Sequence, residues 1–331
     1  MNPTRILDLA SAFWSSAALL SAVELGLFAA LDGAADGVTA DEVARRAGVA
    51  ARPAAMLLDA VVALGLCSRD GDRYRNTPEA ATFLVPGKPG SLAGALGYNA
   101  RLFGAWARLA EAVRTDAPIV TTPTYVGKDA AGTRAFVEGM HHRALGMAQT
   151  LLGAVDLTGR KHLVDVAGGP GTLSVLLARK HPELRATVLE LPGIAAVGRE
   201  LVAAQGLADR VVHRDADVFV DDLGSGYDAA LVSGLLHREP PDVCRELLRR
   251  LHAAVEPGGV VYLIDVMRDD SRVGPPFAAL FALNMLLTSE RGGCHADVDH
   301  AAWLEDVGFG DVAITRPVAP AVHTVVRATR R

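Results

Sequence analysis

The sequence lacks several features that would point to common classes of protein. Only three of its 331 residues are cysteines, and Cys67, Cys244 and Cys294 are isolated from one another. Three isolated cysteines offer neither a disulfide framework nor a paired metal motif, so we expect a reducing, cytoplasmic environment. Basic residues are not in excess either. The net charge of -5 argues against a surface that binds nucleic acid.

Membrane-spanning runs and targeting signals are also missing from the sequence. Hydrophobic residues make up 50% of the chain, but no uninterrupted apolar run approaches the roughly 20 residues needed to cross a membrane. The N-terminus has no basic start and no small-residue cleavage site, so we expect no signal peptide. By its length the chain can bury a large core and has room for about two domains.

The most informative stretch of the chain spans residues 162–193. An apolar run that carries Asp165 leads into a glycine loop, residues 168–171. A helical pattern follows from Thr172 to Lys180, and a second apolar run ends in Glu190. Strand, glycine turn, helix, strand and terminal acid form the nucleotide-binding half of a doubly wound sheet. Glu190 lies roughly 20 residues past the loop, where such sheets place an acid against ribose hydroxyls.

The glycine loop favours S-adenosylmethionine over a dinucleotide. A dinucleotide site aims backbone N–H groups at a pyrophosphate, but Pro170 removes one N–H from this loop. The glycine spacing of the dinucleotide fingerprint is also absent. S-adenosylmethionine has a ribose and an adenine but no phosphate, and Asp165 suits its cationic amino-acid end. The alternative is a loop that merely turns the chain.

The first 90 residues are predicted to form a winged helix-turn-helix domain. The segment Ile6 to Leu31 reads as one or two helices, so apolar that a partner subunit is the expected cover. Thr39 and Glu42 form a capping box at the start of a short helix. A second helix follows from about Arg52 to Leu64, and Cys67 to Asn76 reads as a hairpin.

A winged helix can bind DNA, so a ligand-sensing transcription regulator is an alternative function. The second helix carries one Arg and one Asp among otherwise apolar side chains. Such a helix has almost nothing to reach base edges or phosphates. We therefore interpret residues 1–90 as a dimerisation domain and expect a homodimer that binds neither nucleic acid nor a membrane.

The rest of the chain is predicted to form a helical connector and a catalytic domain. Residues 91–157 are mostly helical, and residues 158–331 alternate strands with helices. This alternation predicts an α/β fold with a Rossmann-like, doubly wound and mainly parallel sheet, which binds ligands at the carboxyl ends of its strands. The side chains that we expect to face a substrate are Asn99, Phe103, Trp106, Phe136, Met140 and Asn284. For the aromatic and Met side chains among them, ordinary helix packing is the alternative.

The order of the helical N-terminal domain, the connector and the catalytic domain resembles the small-molecule O-methyltransferases that use S-adenosylmethionine. This family has plant caffeate-type and bacterial antibiotic-pathway members. The resemblance rests on DVAGGPG at 165–171, Glu-Leu-Pro at 190–192, ADVF at 216–219 and Leu-His at 236–237. It implies methylation of a small, secondary metabolite. The cofactor contacts that it implies, with Asp165 added from the reasoning above, are Gly168, Gly169, Gly171, Glu190, Asp217, Val218 and Ser233.

The catalytic histidine of this family matches His237. An imidazole titrates near neutrality, at about 6.5 when unperturbed, so it can take a proton from a hydroxyl group. The carboxylate that orients the histidine is usually Glu in the family and is Asp265 here. The family also usually follows the histidine with Asp-Trp, whereas this chain has Arg238, Glu239 and Pro240. A histidine satisfied in a helix cap is the alternative.

These departures suggest a second chemistry. His237, His295 and Asp265 would together make a two-histidine, one-carboxylate face for a divalent metal or iron. Such a metal could act as a Lewis acid in C-methylation of a 2-oxo acid, with Arg238 or Arg143 holding the acid's carboxylate. O-methylation with His237 as general base is the favoured hypothesis. N-methylation and an inactive relative are further alternatives.

Overall fold

The computed structural model describes residues 2–88, 90–120, 129–316 and 321–331, without the side chains of residues 147 and 149–151. The chain forms two compact units, Met1–Gly104 and Ala105–Arg331. Each unit has hydrophobic clusters drawn from its own residues.

The first unit is a helical domain with a small antiparallel sheet. Its elements are α1 (Thr4–Glu24), α2 (Leu27–Ala30), β1 (Val38–Thr39), α3 (Ala40–Ala47), α4 (Ala51–Ala63), β2 (Cys67–Asp70), β3 (Arg73–Asn76), α5 (Pro78–Phe83) and α6 (Ala93–Trp106), whose last residues belong to the second unit. The strand order is β1-β3-β2. As the sequence predicts, the Thr39 side chain caps α3 by accepting a hydrogen bond from the Glu42 N–H.

The N-terminal helix α1 presents most of its apolar side chains to the outside. Leu27, Phe28 and Leu58 form a buried core below it and are at most 1% exposed, but Ile6 and Trp14 are 71% and 67% exposed. By length and composition alone α1 could cross a membrane. The scattered polar residues of α1 interrupt its apolar run, as the sequence shows, without making the helix polar.

The second unit contains a seven-stranded sheet flanked by helices. Its elements are α7 (Leu109–Thr115), α8 (Ala130–Ala154), β4 (His162–Val166), α9 (Thr172–Lys180), β5 (Arg185–Glu190), α10 (Pro192–Ala204), β6 (Val211–Asp215), β7 (Tyr227–Ser233), α11 (Pro241–Ala254), β8 (Val255–Asp265), α12 (Pro276–Thr288), α13 (Asp297–Asp306), β9 (Phe309–Thr315) and β10 (Thr324–Arg330). The strand order is β6-β5-β4-β7-β8-β10-β9.

The sheet is mainly parallel, as the sequence predicts. Strands β6, β5, β4, β7 and β8 run parallel, and β10 pairs antiparallel with both β8 and β9. Both faces of the sheet are buried, since Val164 and Val166 on β4 face one hydrophobic cluster and Leu163 faces another. The chain leaves β4 toward β5 and later returns to β7 on its other side. Sheets of this kind bind ligands at such a reversal.

Candidate active site

The glycine loop after β4 is shaped by backbone conformations that favour glycine. Gly169 and Gly171 have φ angles of 56° and 71°, and Ala167 adopts a φ of 52°. The Gly171 N–H donates a hydrogen bond of 3.0 Å to the Gly168 carbonyl, which closes the turn. A Cβ on Gly168 would lie 2.5 Å from the carboxyl carbon of Asp165. The loop therefore lies directly on the Asp165 carboxylate, where a side chain would not fit.

Asp165 has one carboxylate oxygen without a partner in the described part of the chain. The Ser174 hydroxyl donates a hydrogen bond of 2.6 Å to Oδ2, whereas Oδ1 is buried and unpartnered. Burial raises the pKa of Asp165 to about 6, Ser174 opposes the rise and the Glu190 carboxylate adds to it. A buried carboxylate with a spare acceptor fits a cationic ligand group, as the amino-acid end of S-adenosylmethionine would supply.

Glu190 lies at the carboxyl end of β5, beside the same loop. Its Oε2 accepts a hydrogen bond of 2.8 Å from the Gly169 N–H, and its Oε1 accepts one of 2.8 Å from the Leu191 N–H. Burial raises the pKa of Glu190, and these two backbone bonds oppose the rise. Each carboxylate oxygen has a second lone pair. The side chain can therefore hold a ribose hydroxyl while it supports the glycine loop.

The residues predicted to contact the adenine, Asp217 and Val218, follow β6, and the predicted cofactor contact Ser233 ends β7. Asp217 accepts a hydrogen bond of 3.0 Å from the Phe219 N–H, while its own N–H donates one of 2.8 Å to Asp221. Val218 is buried, and the half-buried Ser233 is the last residue of β7. The parallel strands β4, β5, β6 and β7 thus bring the predicted cofactor residues to the same edge of the sheet.

His237 and Asp265 form a buried pair at this edge. His237 lies on a single turn of 3-10 helix (Leu236–Arg238) after β7, and Asp265 is the last residue of β8, parallel to β7. The distance between His237 Nδ1 and Asp265 Oδ1 is 2.5 Å, and the His237 N–H donates to Oδ2 at 3.3 Å. The structure thus brings together two predicted catalytic residues that lie 28 positions apart.

The charge of Asp265 fixes the tautomer of His237. Burial alone would raise the pKa of Asp265, but the His237 imidazole and its hydrogen bond outweigh burial and lower that pKa. An ionised carboxylate can only accept hydrogen bonds, so His237 Nδ1 carries the proton that it donates. Nε2 is then the basic nitrogen of the neutral ring, available to accept a proton.

Aromatic side chains lie next to this pair. The Phe281 ring meets the His237 ring edge to face at 4.9 Å between centroids, and Phe277 stacks on Phe281 at 6.1 Å. Two predicted substrate residues also contact each other, since Trp106 Nε1 donates a hydrogen bond of 3.1 Å to Asn284 Oδ1. Helix α12 therefore contributes the aromatic surface of Phe277 and Phe281 and the hydrogen-bonded amide of Asn284 to the second unit.

His295, the third predicted catalytic residue, makes different contacts. Its Nε2 bonds the Glu239 carbonyl at 2.8 Å, and its ring lies 5.0 Å from Trp303. The neighbouring Cys294 is buried, and its thiol donates a hydrogen bond to the Val266 carbonyl. Within the described ranges, no three His, Cys, Asp or Glu side chains are grouped so that they could hold a metal ion. The metal-binding alternative therefore gains no support from the geometry.

The other predicted substrate residues are scattered. Phe136 packs in a cluster with Ile194 on α10, and Arg238 donates to the Thr288 carbonyl at 3.3 Å. Met140 and Arg143 are half-buried on α8. Asn99 and Phe103 lie on the part of α6 that belongs to the first unit, and Asn99 is exposed.

Sequence reasoning missed two histidines that flank the site. His213 on β6 is buried and its Nε2 bonds the Gly169 carbonyl at 3.0 Å. His323 directly precedes β10, whose first residue, Thr324, pairs with Asp265. Neither position carries a local sequence signal, because each contact depends on strand pairing or on the path of the glycine loop.

Comparisons with known proteins agree on one family. Residues 106–310 match the family model of an O-methyltransferase domain, and residues 7–86 match an O-methyltransferase dimerisation domain. The chain is 38% identical over 332 residues to a 3-hydroxy-5-methyl-1-naphthoate 3-O-methyltransferase of Streptomyces sahachiroi, covering 99% of this chain and 95% of that protein. It is also 38% identical over 334 residues to a tetracenomycin polyketide synthesis 8-O-methyl transferase of Streptomyces glaucescens, covering 99% and 98%.

A solved structure extends the agreement to the fold. Human N-acetylserotonin methyltransferase in complex with S-adenosylmethionine superposes with a TM-score of 0.90 at 25% identity, covering 100% of this chain and 98% of that one. The α/β fold and the helical N-terminal domain expected from the sequence are therefore confirmed. The expected cofactor is confirmed as well, through the family and its S-adenosylmethionine-bound structure.

Proposed function

The chain belongs to the S-adenosylmethionine-dependent small-molecule O-methyltransferases, and from this membership we propose that it methylates a phenolic hydroxyl group with His237 as general base. The enzyme class and the small-metabolite acceptor follow from the family. The finer proposal rests on one observation, the buried hydrogen bond between His237 and Asp265 at the edge where the glycine loop also ends.

The proposed role of His237 is to receive the hydroxyl proton of the acceptor. S-adenosylmethionine supplies, when bound, the methyl group that the acceptor oxygen takes from a cationic sulfur. His237 Nε2 accepts the proton, and Asp265 stays ionised and stabilises the imidazolium through Nδ1. Because both side chains are buried, solvent screens this interaction little. General-base catalysis of this kind contributes roughly 10²- to 10⁴-fold to the rate.

A flat aromatic acceptor is the substrate class that we propose. Phe281, Phe277 and Trp106 provide aromatic surface on the elements around His237, and aromatic faces pack well against fused rings. The two Streptomyces relatives are named for a hydroxynaphthoate and for a tetracenomycin polyketide. Both names support a fused aromatic phenol as the acceptor.

Three acceptors that differ in the reacting atom test this proposal. Naphthalen-2-ol, naphthalen-2-amine and phenylpyruvate offer oxygen, nitrogen and carbon respectively, and mass spectrometry identifies the methylated product. We expect the methyl ether of naphthalen-2-ol and the same rate after exhaustive chelation. Preferred methylation of the amine or the oxo acid, or loss of turnover on chelation, would contradict the proposal.

We also propose that the enzyme is a homodimer formed through the N-terminal domain and that this surface serves neither a membrane nor nucleic acid. The match to a dimerisation domain over residues 7–86 and the exposed apolar side chains of α1, such as Leu9 and Trp14, support it. Burying one large apolar side chain contributes roughly 1.5–3 kcal/mol. Light scattering should give the mass of two chains, and Leu9→Asp combined with Trp14→Asp should shift it toward one.

A further inference from the structure

Arg143 carries a charge that no acidic side chain of this chain neutralises. It lies half-buried on α8, and among the described residues no carboxylate forms an ion pair with its guanidinium. None of the residues outside the described ranges is Asp or Glu, so the undescribed segments cannot supply one either. A ligand that brings the opposite charge would pair with this half-buried guanidinium.

His323 links the charge of Arg143 to the catalytic pair of His237 and Asp265. The residue after His323, Thr324, pairs with Asp265, and the residue before it, Val322, packs against a cluster that includes Phe281. Burial and then the positive charge of Arg143 lower the pKa of His323 to about 4. The imidazole of His323 is therefore neutral at pH 7. The permanent positive charge beside it belongs to Arg143.

The acids already present have other partners. The pKa of Asp165, at the donor side, responds to burial, Ser174 and Glu190, and Arg143 is not among its influences. The oxygens of Asp265 accept hydrogen bonds from His237 Nδ1 and from the backbone N–H groups of His237 and Val266. The positive charge of Arg143 therefore acts on His323, beside the catalytic pair, and no ion pair with a described carboxylate occupies its guanidinium.

We propose that Arg143 binds a carboxylate of the acceptor, so that the preferred substrate is a hydroxyaryl acid rather than a neutral phenol. The proposal rests on the phenol O-methylation proposed above. A planar guanidinium binds a carboxylate through two parallel hydrogen bonds, which fixes orientation as well as position. Holding the acid group at Arg143 would orient the ring so that its hydroxyl group meets His237 Nε2.

A matched pair of acceptors isolates the carboxylate. 3-Hydroxy-1-naphthoate and naphthalen-2-ol differ only in that group. We expect the wild-type enzyme to prefer the naphthoate through KM, and Arg143→Gln to raise its KM roughly 10- to 100-fold, so that the preference collapses. Arg143→Lys keeps the positive charge but lacks the planar guanidinium that makes two parallel hydrogen bonds. It should restore part of the preference. Arg249→Gln, which removes an exposed arginine on α11, should leave the preference unchanged.

Calorimetry with S-adenosylhomocysteine distinguishes the carboxylate of the acceptor from that of the donor. We expect Arg143→Gln to bind S-adenosylhomocysteine within about twofold of wild type. A loss of tenfold or more would assign Arg143 to the donor and overturn the proposal. Equal KM increases for both acceptors would also overturn it, because they would indicate a merely structural role.

Direct binding separates this proposal from the proposed reaction. 3-Hydroxy-1-naphthoate can be titrated into the enzyme loaded with S-adenosylhomocysteine. If it binds in an Arg143-dependent manner but is never methylated, the carboxylate site stands and phenol O-methylation fails. If naphthalen-2-ol is methylated but Arg143→Gln leaves the affinity for 3-hydroxy-1-naphthoate unchanged, the proposed reaction is supported and the proposed carboxylate site is contradicted.

Discussion

At the scale of single residues, the proposed chemistry depends on the free nitrogen of His237. Replacing His237 with Gln keeps a polar side chain of similar reach but removes the basic nitrogen. We expect kcat to fall about 10²- to 10⁴-fold. Affinity for S-adenosylhomocysteine should stay within about twofold, since the predicted cofactor contacts lie on other residues. Steady-state kinetics and calorimetry on the same preparation measure the two effects.

The control for this substitution is His142→Gln on α8, an exposed histidine. It should leave kcat unchanged. If His237→Gln retained more than about a tenth of the wild-type kcat, the base would have to be another group, and the Asp265 pair would be structural.

The sequence predicted some of these residues and missed others for a physical reason. Asp165 and Glu190 could be predicted because one lies within and the other ends an apolar run beside a glycine turn, which is a local pattern. His237 and Asp265 came from a family resemblance, and parallel pairing of β7 with β8 brings them together. His323 could not be predicted, since only antiparallel pairing of β10 with β8 places it next to Asp265.

At the scale of elements, helix α10 and strand β6 support the glycine loop. His213 on β6 fills the space between the loop and α10, with its Nε2 on the Gly169 carbonyl. A Cβ on Gly198 of α10 would overlap the His213 imidazole. Glycine at this position is therefore needed for close packing, although its helical backbone would accept any residue.

Gly198→Ala should displace His213 and weaken cofactor binding. Overpacking of this kind costs roughly 1–3 kcal/mol, so we expect S-adenosylhomocysteine to bind about tenfold more weakly by calorimetry. Gly153→Ala on α8 is the matched control, because nothing lies within 4 Å of its added Cβ. It should be neutral or stabilise the helix by about 0.5–1 kcal/mol. Equal affinities in the two variants would contradict the support role of His213.

The secondary structure was largely predictable because its signals are local. Apolar periodicity, the Thr39 cap and the glycine turns place most helices and strands near their observed bounds. The apolar side chains of α1 led us to expect a partner subunit as its cover. Ile6, Leu9 and Trp14 remain more than 60% exposed among the described residues. This exposure agrees with the dimerisation domain matched there.

At the scale of the whole molecule, burial of neutral histidines links stability to pH. Burial lowers the pKa values of His213 and His300, and burial with the charge of Arg143 lowers that of His323 to about 4. The charged groups that act on His323 also include Asp265, which opposes the decrease, and His237. Between about pH 4 and pH 6.5, the usual His pKa, the unfolded chain binds a proton at this position that the folded chain does not. The contribution of His323 to stability therefore rises with pH across this window.

Comparing wild type with His323→Asn isolates this effect. Lowering the pH from 7 to 5 should cost the wild type on the order of 1–2 kcal/mol more in unfolding free energy than it costs the variant. Each protein is compared with itself at the two pH values, so the effect of the substitution on packing cancels from the difference in unfolding free energy. Urea unfolding at fixed protein concentration measures the four free energies, since oligomerisation makes stability depend on concentration. If wild type and variant lost equal stability, the pKa of His323 would be the same in the folded and unfolded chains, and neither burial nor Arg143 would lower it.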